Sequence, residues 1–353
     1  MTVLSGGVFG SAADDLTDLR ALVDDIGARS FESRIGQRGL PDSFDQIAWG
    51  HLEESGLTRL DSTPDSGGGP ADVAVVLRAL ARHAVSVPAA ETDVLACWVA
   101  GRAGLEVPPT GPLTIATSLD AVPYASDAAA VVLALKDGDG LRVAVRDPVD
   151  LSITKGHNGG GEPRDAVTTH LPSDAFVAVE GAAAELMRRG AWARCMQVIG
   201  ALDAAVEFSV AHTREREQFG RPLSAFQVVQ HSLAAMAGDV ERARAAANLA
   251  VVAAADHGFA SPQADYAVTV AKVTLGRVVP AVVTSAHQLH AAIGVTIEHR
   301  LWLVTQRARS WIGEFGDTAH YARRLGRLAL AVDDPWDLIT GTLTASGHPL
   351  NVG

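Results

Sequence analysis

The chain has 353 residues, 48% of them apolar and 20% charged, with a net charge of −12. At about 150 residues per domain, this length allows two to three domains and a sizeable core, and the composition excludes a disordered chain. The acidic balance excludes a phosphate-backbone binder, which needs a basic face, but leaves room for a local basic site toward an anionic ligand.

The start, Met1 to Leu16, lacks a basic stretch followed by an apolar run, so no secretory signal is expected. Asp14 to Ile26 repeats Leu16, Leu19, Leu22, Val23 and Ile26 at a helical period. A linker follows from Asp61 to Pro70, with Gly67-Gly68-Gly69 and two prolines. Ala71 to His83 then carries Val73, Val76, Leu77 and Leu80 on one helical face, Pro88 ends that pattern, and Glu91 to Gly104 is a further helix candidate. Residues 1–108 therefore read as a helical domain.

The pattern changes over 109–179. Pro112 to Thr117 and Ala130 to Leu135 are short β-prone runs, and Gly138-Asp139-Gly140 is a hairpin signal answered by an alternating strand, Leu141 to Val145. Val167 to His170 and Phe176 to Val179 are weaker strand candidates. A small antiparallel β domain is expected. Residues 180–332 return to helical spacing: Leu233, Met236, Val240, Ala243, Ala247 and Val251, then Leu301, Val304, Ala308 and Trp311. Long amphipathic helices joined by short turns predict an antiparallel bundle. Residues 333–353, rich in Pro and Gly, read as a surface tail.

Cys97 and Cys195 are too few for a disulfide framework or a four-cysteine zinc site, and a reducing, cytoplasmic setting is expected. No His/Cys/carboxylate cluster has metal-ligand spacing, so no metal is expected. The longest apolar stretches, such as Leu249 to Ala255, fall short of the roughly 18 residues of a membrane span.

Three local features carry chemistry. Arg214 to Pro222, followed by Phe226-Gln227, sets three arginines within eight residues of an acidic chain. A helix ending near Gln218 and turned by Gly220 and Pro222 presents Arg216 and loop amides together, which suits a diphosphate because guanidinium is a fixed-geometry anion ligand. The same run also reads as a solvated helix end with Glu–Arg pairs. Gln288-Leu-His-Ala-Ala-Ile-Gly294 supplies small residues for close backbone approach to a ligand or to another helix, and His290 alone reads as a core or surface histidine. In Glu314-Phe-Gly-Asp-Thr318, Gly316 ends the helix of Trp311 and Asp317 is placed to N-cap the next.

In their order, a helical zone, a β zone and a four-helix zone resemble the acyl-CoA dehydrogenases. Arg214 to Gln227 is similar to that family's Arg-x-x-Phe-Gly-(Arg/Lys)-Pro-(three residues)-Phe-Gln segment, and Gln288 to Gly294 to its Gln-(apolar)-His-Gly-Gly-x-Gly segment. The resemblance implies a mainly α fold with a shortened middle β domain and a C-terminal four-helix bundle. It also implies FAD, α,β-dehydrogenation of an acyl-CoA thioester, and an electron-transfer flavoprotein as electron acceptor. It carries over Arg216, Gln218, Phe219, Gln227 and Gln288, with the backbone around Ala292 and Gly294, as FAD ligands acting across a subunit interface. A homo- or hetero-oligomer, by family a tetramer, follows, with neither nucleic acid nor membrane as partner.

Three departures shape the expectation. Thr117 to Tyr124 stands where the family has its Thr-Glu-Pro-x-(Ala/Gly)-Gly-Ser-Asp flavin-ring segment, and Ala291-Ala292 stand for paired glycines. The family's two base positions fall on Phe315 and Gly190, with Glu314 one residue off, a rotation of about 100° on a helix. The reading is a dehydrogenase-like subunit completed by a catalytic paralogue. The alternatives are a self-sufficient homo-oligomeric enzyme with a relocated base, and a flavin-free structural or acyl-CoA-binding protein.

Overall fold

The structure, a computed structural model, describes residues 12–34, 41–62, 67–170, 172–296, 298–336 and 338. The linker's centre and nearly all of the expected tail lie outside the described residues.

The first elements are helical: α1 (Ala12–Arg34), α2 (Gln46–Glu54), α3 (Pro70–Arg82), and a π-helical segment, Glu91–Cys97, running into α4 (Trp98–Arg102). Asp45 caps α2 through the Ala48 amide, and α3 begins on Pro70, where a missing N–H costs nothing. Seven strands follow: β1 (Leu113–Ala116), β2 (Val122–Pro123), β3 (Ala130–Asp137), β4 (Gly140–Arg146), β5 (Ser152–Thr154), β6 (Arg164–Thr168) and β7 (Val177–Val179). They form one sheet in the order β1-β3-β4-β7 and another in the order β2-β6-β5.

The expected all-antiparallel arrangement is corrected to a mixed one. β1 pairs with β3 in parallel, Leu113 opposite Ala130. Between them the chain crosses to the second sheet to make β2 and turns back, so it enters β3 in the direction of β1. The hairpin signal is realised as the β3–β4 turn, with Asp137 opposite Gly140 and Gly138 at φ +63°. The short edge strands β2 and β5, with too few residues to alternate, are found only in the structure.

β3 serves two cores. Ala130, Val132 and Ala134 join the main helical core, while Val131 and Leu133 join a smaller cluster with Ala116, Val122, Ala144 and Val167. Burial on both faces explains why this strand is a continuous apolar run rather than an alternating one.

The last zone is the bundle: α5 (Ala182–Glu215), a hairpin of β8 (Glu217–Gln218) and β9 (Arg221–Pro222), α6 (Gln227–His257), α7 (Pro262–His290), α8 (Leu301–Trp311) and α9 (Thr318–Leu330). The predicted stripe on α6 is its buried face, with Met236, Val240, Ala243, Ala247 and Val251, and α8 buries Leu301, Val304, Ala308 and Trp311. Contrary to the expectation from apolar runs, α7 with the turn after it, Pro262–Val295, is long and apolar enough to cross a membrane by length and composition, and 61% of its most apolar stretch is buried inside the structure. Helices α3 and α5 cross closely at Gly200, where any Cβ would overlap the Arg78 carbonyl oxygen.

Candidate functional site

The residues singled out from the sequence fall at two places, near opposite ends of α5. Gly190 lies near its N-terminal end. His212, which leads into the arginine run, lies 22 residues further on, about 33 Å along the helix axis.

At the first place four segments converge. α5 brings Arg194, the π-helical segment brings Glu91, β6 and its approach bring Arg164 and Glu162, and the α8–α9 turn brings Glu314. Arg194 donates from Nε to Glu314 Oε2 (2.7 Å), from Nη2 to Glu91 Oε1 (2.5 Å) and from Nη1 to Gln197 Oε1 (2.6 Å). Arg164 Nη2 donates to the other Glu314 oxygen at 2.8 Å, and Trp311 Nε1 donates to Glu162 at 2.7 Å. Arg194, Arg164, Glu91 and Glu314 are thus each met by an opposite charge with directed hydrogen bonds, and Glu162 lies 3.6 Å from Arg164 while accepting from Trp311, the condition under which buried ions are tolerated. Burial alone would push the Glu314 carboxyl up, but Arg194 and Arg164 outweigh it and hold its pKa at about 2. A base that weak has little driving force to take a proton near neutral pH, and both its oxygens are already engaged.

The two positions aligned with the family's base touch each other. The Phe315 ring lies over Gly190, where a Cβ would overlap it, with the Arg194 guanidinium 5.7 Å from the ring centroid. The turn that sets this ring is fixed from behind. Lys272 Nζ donates to the carbonyls of Ile312 (2.7 Å) and Glu314 (2.8 Å), and Tyr321 donates to that of Phe315 (2.9 Å). Phe315 and Gly316 take φ of +52° and +96°, and Asp317 caps α9 through the His320 amide, as its spacing predicts. An apolar ring therefore occupies the ground between these two positions.

At the second place, α5 ends at Glu215, three residues earlier than expected, and Gln218 belongs to a β-hairpin. Its two-residue turn, Phe219-Gly220, has φ of +54° and +77°, the signature of a type I′ turn. Phe219 is 92% exposed, so a bulky apolar side chain stands in water on a left-handed backbone position. Arg221 stacks on Phe226 at 4.0 Å. Among the described residues, Arg214, Arg216 and Arg221 form no salt bridge, so the alternative of a helix end with Glu–Arg pairs is not what forms. Gln227 is exposed at the first residue of α6. The end of α7 is brought beside the end of α5, since His290 stacks on His212 with ring centroids 4.5 Å apart. Gln288 and Ala292 are exposed there, while Gly294 is buried.

Ala291 takes φ +51° and ψ −138°, which accounts for a glycine at this position in the family pattern. Relief of such strain is worth roughly 1–3 kcal/mol, and the added freedom of the unfolded chain returns roughly 0.4–1. Ala291→Gly is therefore expected to stabilise the protein by about 1 kcal/mol, read as a raised denaturant midpoint at unchanged slope.

Sequence reading missed Glu91, Glu162, Arg164 and Arg194, which come from three remote segments with no shared spacing. The only sign was the presence of ionisable residues inside otherwise apolar runs, as at Arg194 between Ala193 and Cys195.

A helical layer, a small mixed β region and an antiparallel bundle with an outward arginine hairpin define the acyl-CoA dehydrogenase fold. The structure superposes on the ChsE4–ChsE5 complex from Mycobacterium tuberculosis with a TM-score of 0.76 at 22% identity, over 90% of this chain and 97% of that one. It matches butyryl-CoA dehydrogenase from Megasphaera elsdenii with a TM-score of 0.74 at 17% identity, over 89% and 98%. Residues 181–324 match the family described as acyl-CoA dehydrogenase, C-terminal domain. Among curated relatives, acyl-CoA dehydrogenase IpdE2 of Mycolicibacterium smegmatis is 31% identical over 127 residues, 36% of this chain and 38% of that protein. Probable acyl-CoA dehydrogenase FadE2 of Mycobacterium tuberculosis is 33% identical over 102 residues, 29% and 25% of the two chains. The chain thus covers well under half the length of these curated relatives. Residues 181–324 are thus similar to the acyl-CoA dehydrogenase C-terminal domain, and the fold of the whole chain is the one the solved acyl-CoA dehydrogenases share.

Proposed function

We propose that this chain is the supporting subunit of a mixed acyl-CoA dehydrogenase assembly. In this reading a catalytic paralogue supplies the base and most of the acyl-CoA pocket, and an electron-transfer flavoprotein takes the electrons. The carrying observation is the contact of Phe315 with Gly190, which leaves an apolar ring where a base would stand. The ion-paired state of Glu314 speaks against a relocated base there. Two structural neighbours are themselves described as the ChsE4–ChsE5 complex and a Tcur3481–Tcur3483 steroid ACAD variant, which favours pairing of unlike chains in this fold.

The hairpin fits FAD as an outside ligand. Arg214, Arg216 and Arg221, without a salt bridge among the described residues, suit a diphosphate, and exposed Phe219 and Gln288 suit the adjoining nucleoside. FAD would supply the acceptor for the β-hydride. This chain's part is to bind and orient the dinucleotide from across an interface, because its hairpin lies more than 30 Å along α5 from Gly190. The methyls of Ala291 and Ala292 favour a second reading, a flavin-free protein of the same fold. A cytoplasmic setting belongs to either reading.

Visible flavin absorbance separates the two. The chain expressed alone is expected to be colourless, and the complex co-expressed with a neighbouring-gene paralogue yellow, losing flavin on Arg216→Ala in this chain. Yellow, active protein from this chain alone would overturn the proposal. A colourless, stable complex would establish the flavin-free reading.

A further inference from the structure

We infer that His212, His290 and His299 form a binding site for a divalent transition metal of the zinc class. The three come from the last turn of α5, the last residue of α7 and the loop before α8. One ring nitrogen from each lies within 4.8 Å of the others. The rings pack against one another, with His212 stacked on His290 at 4.5 Å and His299 edge-on to His290 at 4.6 Å.

His290 is the anchor. It is 2% exposed, and its Nδ1–H donates to the Ala286 carbonyl at 2.8 Å. That bond places the proton on Nδ1 and leaves the free lone pair on Nε2, which is buried and makes no well-formed hydrogen bond, although the Phe208 backbone lies within reach of the ring. A dry acceptor is costly, so an unsatisfied one in a cluster of imidazoles calls for an explanation. An outer hydrogen bond from Nδ1 to a backbone carbonyl is also the arrangement that fixes a metal-ligating histidine. Gly294 leaves room for His290, since a Cβ there would come within 2.8 Å of the His290 Cβ.

The other two rings supply the remaining ligands. A neutral imidazole carries one N–H and one lone pair, so each of the three rings can offer one ligand nitrogen. His299 Nδ1 accepts the Leu301 amide at 3.1 Å. Ligation exchanges that one bond, to an amide in the first turn of α8, for a bond to the metal. Zinc–nitrogen bonds of roughly 2.0–2.1 Å require the nitrogens to draw closer than 4.8 Å. Ligation turns the half-buried His212 and His299 rings inward, while buried His290 stays fixed. Three imidazoles without a carboxylate or thiolate suit Zn²⁺ or Co²⁺ rather than Mg²⁺ or Ca²⁺, and leave a fourth position for water or a partner's donor. A bound ion would clamp the end of α5, and with it the arginine hairpin, to the end of α7.

Metal-stripped full-length protein titrated with Co²⁺ tests this directly. The expected result is one Co²⁺ per chain with the strong visible absorbance of a four-coordinate ion, displaced by one equivalent of Zn²⁺. Zn²⁺ should also raise the melting temperature. Loss of an outer-sphere partner costs roughly 10–100-fold in affinity, so removal of a direct ligand should cost at least about 100-fold. His290→Ala and His212→Asn are both expected to show that loss, and His257→Asn, at the far end of α6, none. His212 is only half-buried, so His212→Asn decides the matter even if His290→Ala fails to fold. Absence of the visible band in the wild type, or an unchanged Co²⁺ affinity in His212→Asn, would overturn the proposal.

Discussion

Glu314→Gln is expected to destabilise the protein by about 3–5 kcal/mol, the usual cost of removing one partner from a buried ion pair. The variant keeps the shape of the side chain but leaves Arg194 and Arg164 facing a neutral amide, with Glu91 and Glu162 as their remaining counter-charges. The pKa gives an independent check. A carboxyl held at about 2 in the fold and near 4.5 when unfolded contributes about 3 kcal/mol. Because the folded value is the lower one, that stability is fully present above pH 4.5 and is lost as the pH falls toward 2. The difference in unfolding free energy between wild type and Glu314→Gln should therefore be flat from pH 7 to 5 and shrink below 4.5. A pH-independent difference would show that the two arginines do not see this carboxylate as charged. If Glu314 were instead a working base, its loss would remove activity with little change in stability.

The second large effect is expected at Gly200. Its missing side chain lets α3 and α5 approach until a Cβ would overlap the Arg78 carbonyl oxygen, a backbone atom that cannot rotate away. Gly200→Ala gains about 1 kcal/mol of helix propensity, but the two helices must move apart along a shared core. Overpacking of this kind usually costs about 1–3 kcal/mol and more where backbone must move, so a net loss of about 2 kcal/mol or more is expected. Gly238→Ala on α6 is the matched control: nothing lies within 4 Å of its added Cβ, and propensity alone should stabilise it by about 0.5–1 kcal/mol. Paired denaturant melts read both signs. Two variants moving the same way would show that propensity, not helix contact, governs these glycines.

The helices and the main hairpin were legible because their signals are local. A repeat of Val and Leu along α3, a Gly138 turn and an Asp317 cap each act within a few residues. The arginine hairpin was legible as a motif but not as a shape. No helical period runs through Glu217 to Pro222, so the boundary of α5 and the type I′ turn had to be seen. The parallel β1–β3 pair was hidden because a strand's composition does not record the direction from which its neighbour arrives. The ionic cluster around Arg194 was hidden for a related reason. It is assembled by tertiary packing from positions 91, 162, 164, 194 and 314, and no sequence window contains more than two of them. The histidines at 212, 290 and 299 escaped in the same way, as two of them sit in different helices and the third in a loop.

Composition divides this chain into three zones, but β3 does not respect the division. Its alternate residues belong to the helical core on one side and to the small β cluster on the other. Pulling the sheet from the helices would strip apolar surface from both cores at once, so neither has a partly open state that leaves the other whole. A boundary in composition is therefore not a boundary in cooperativity. The helical and β parts are bound to open together.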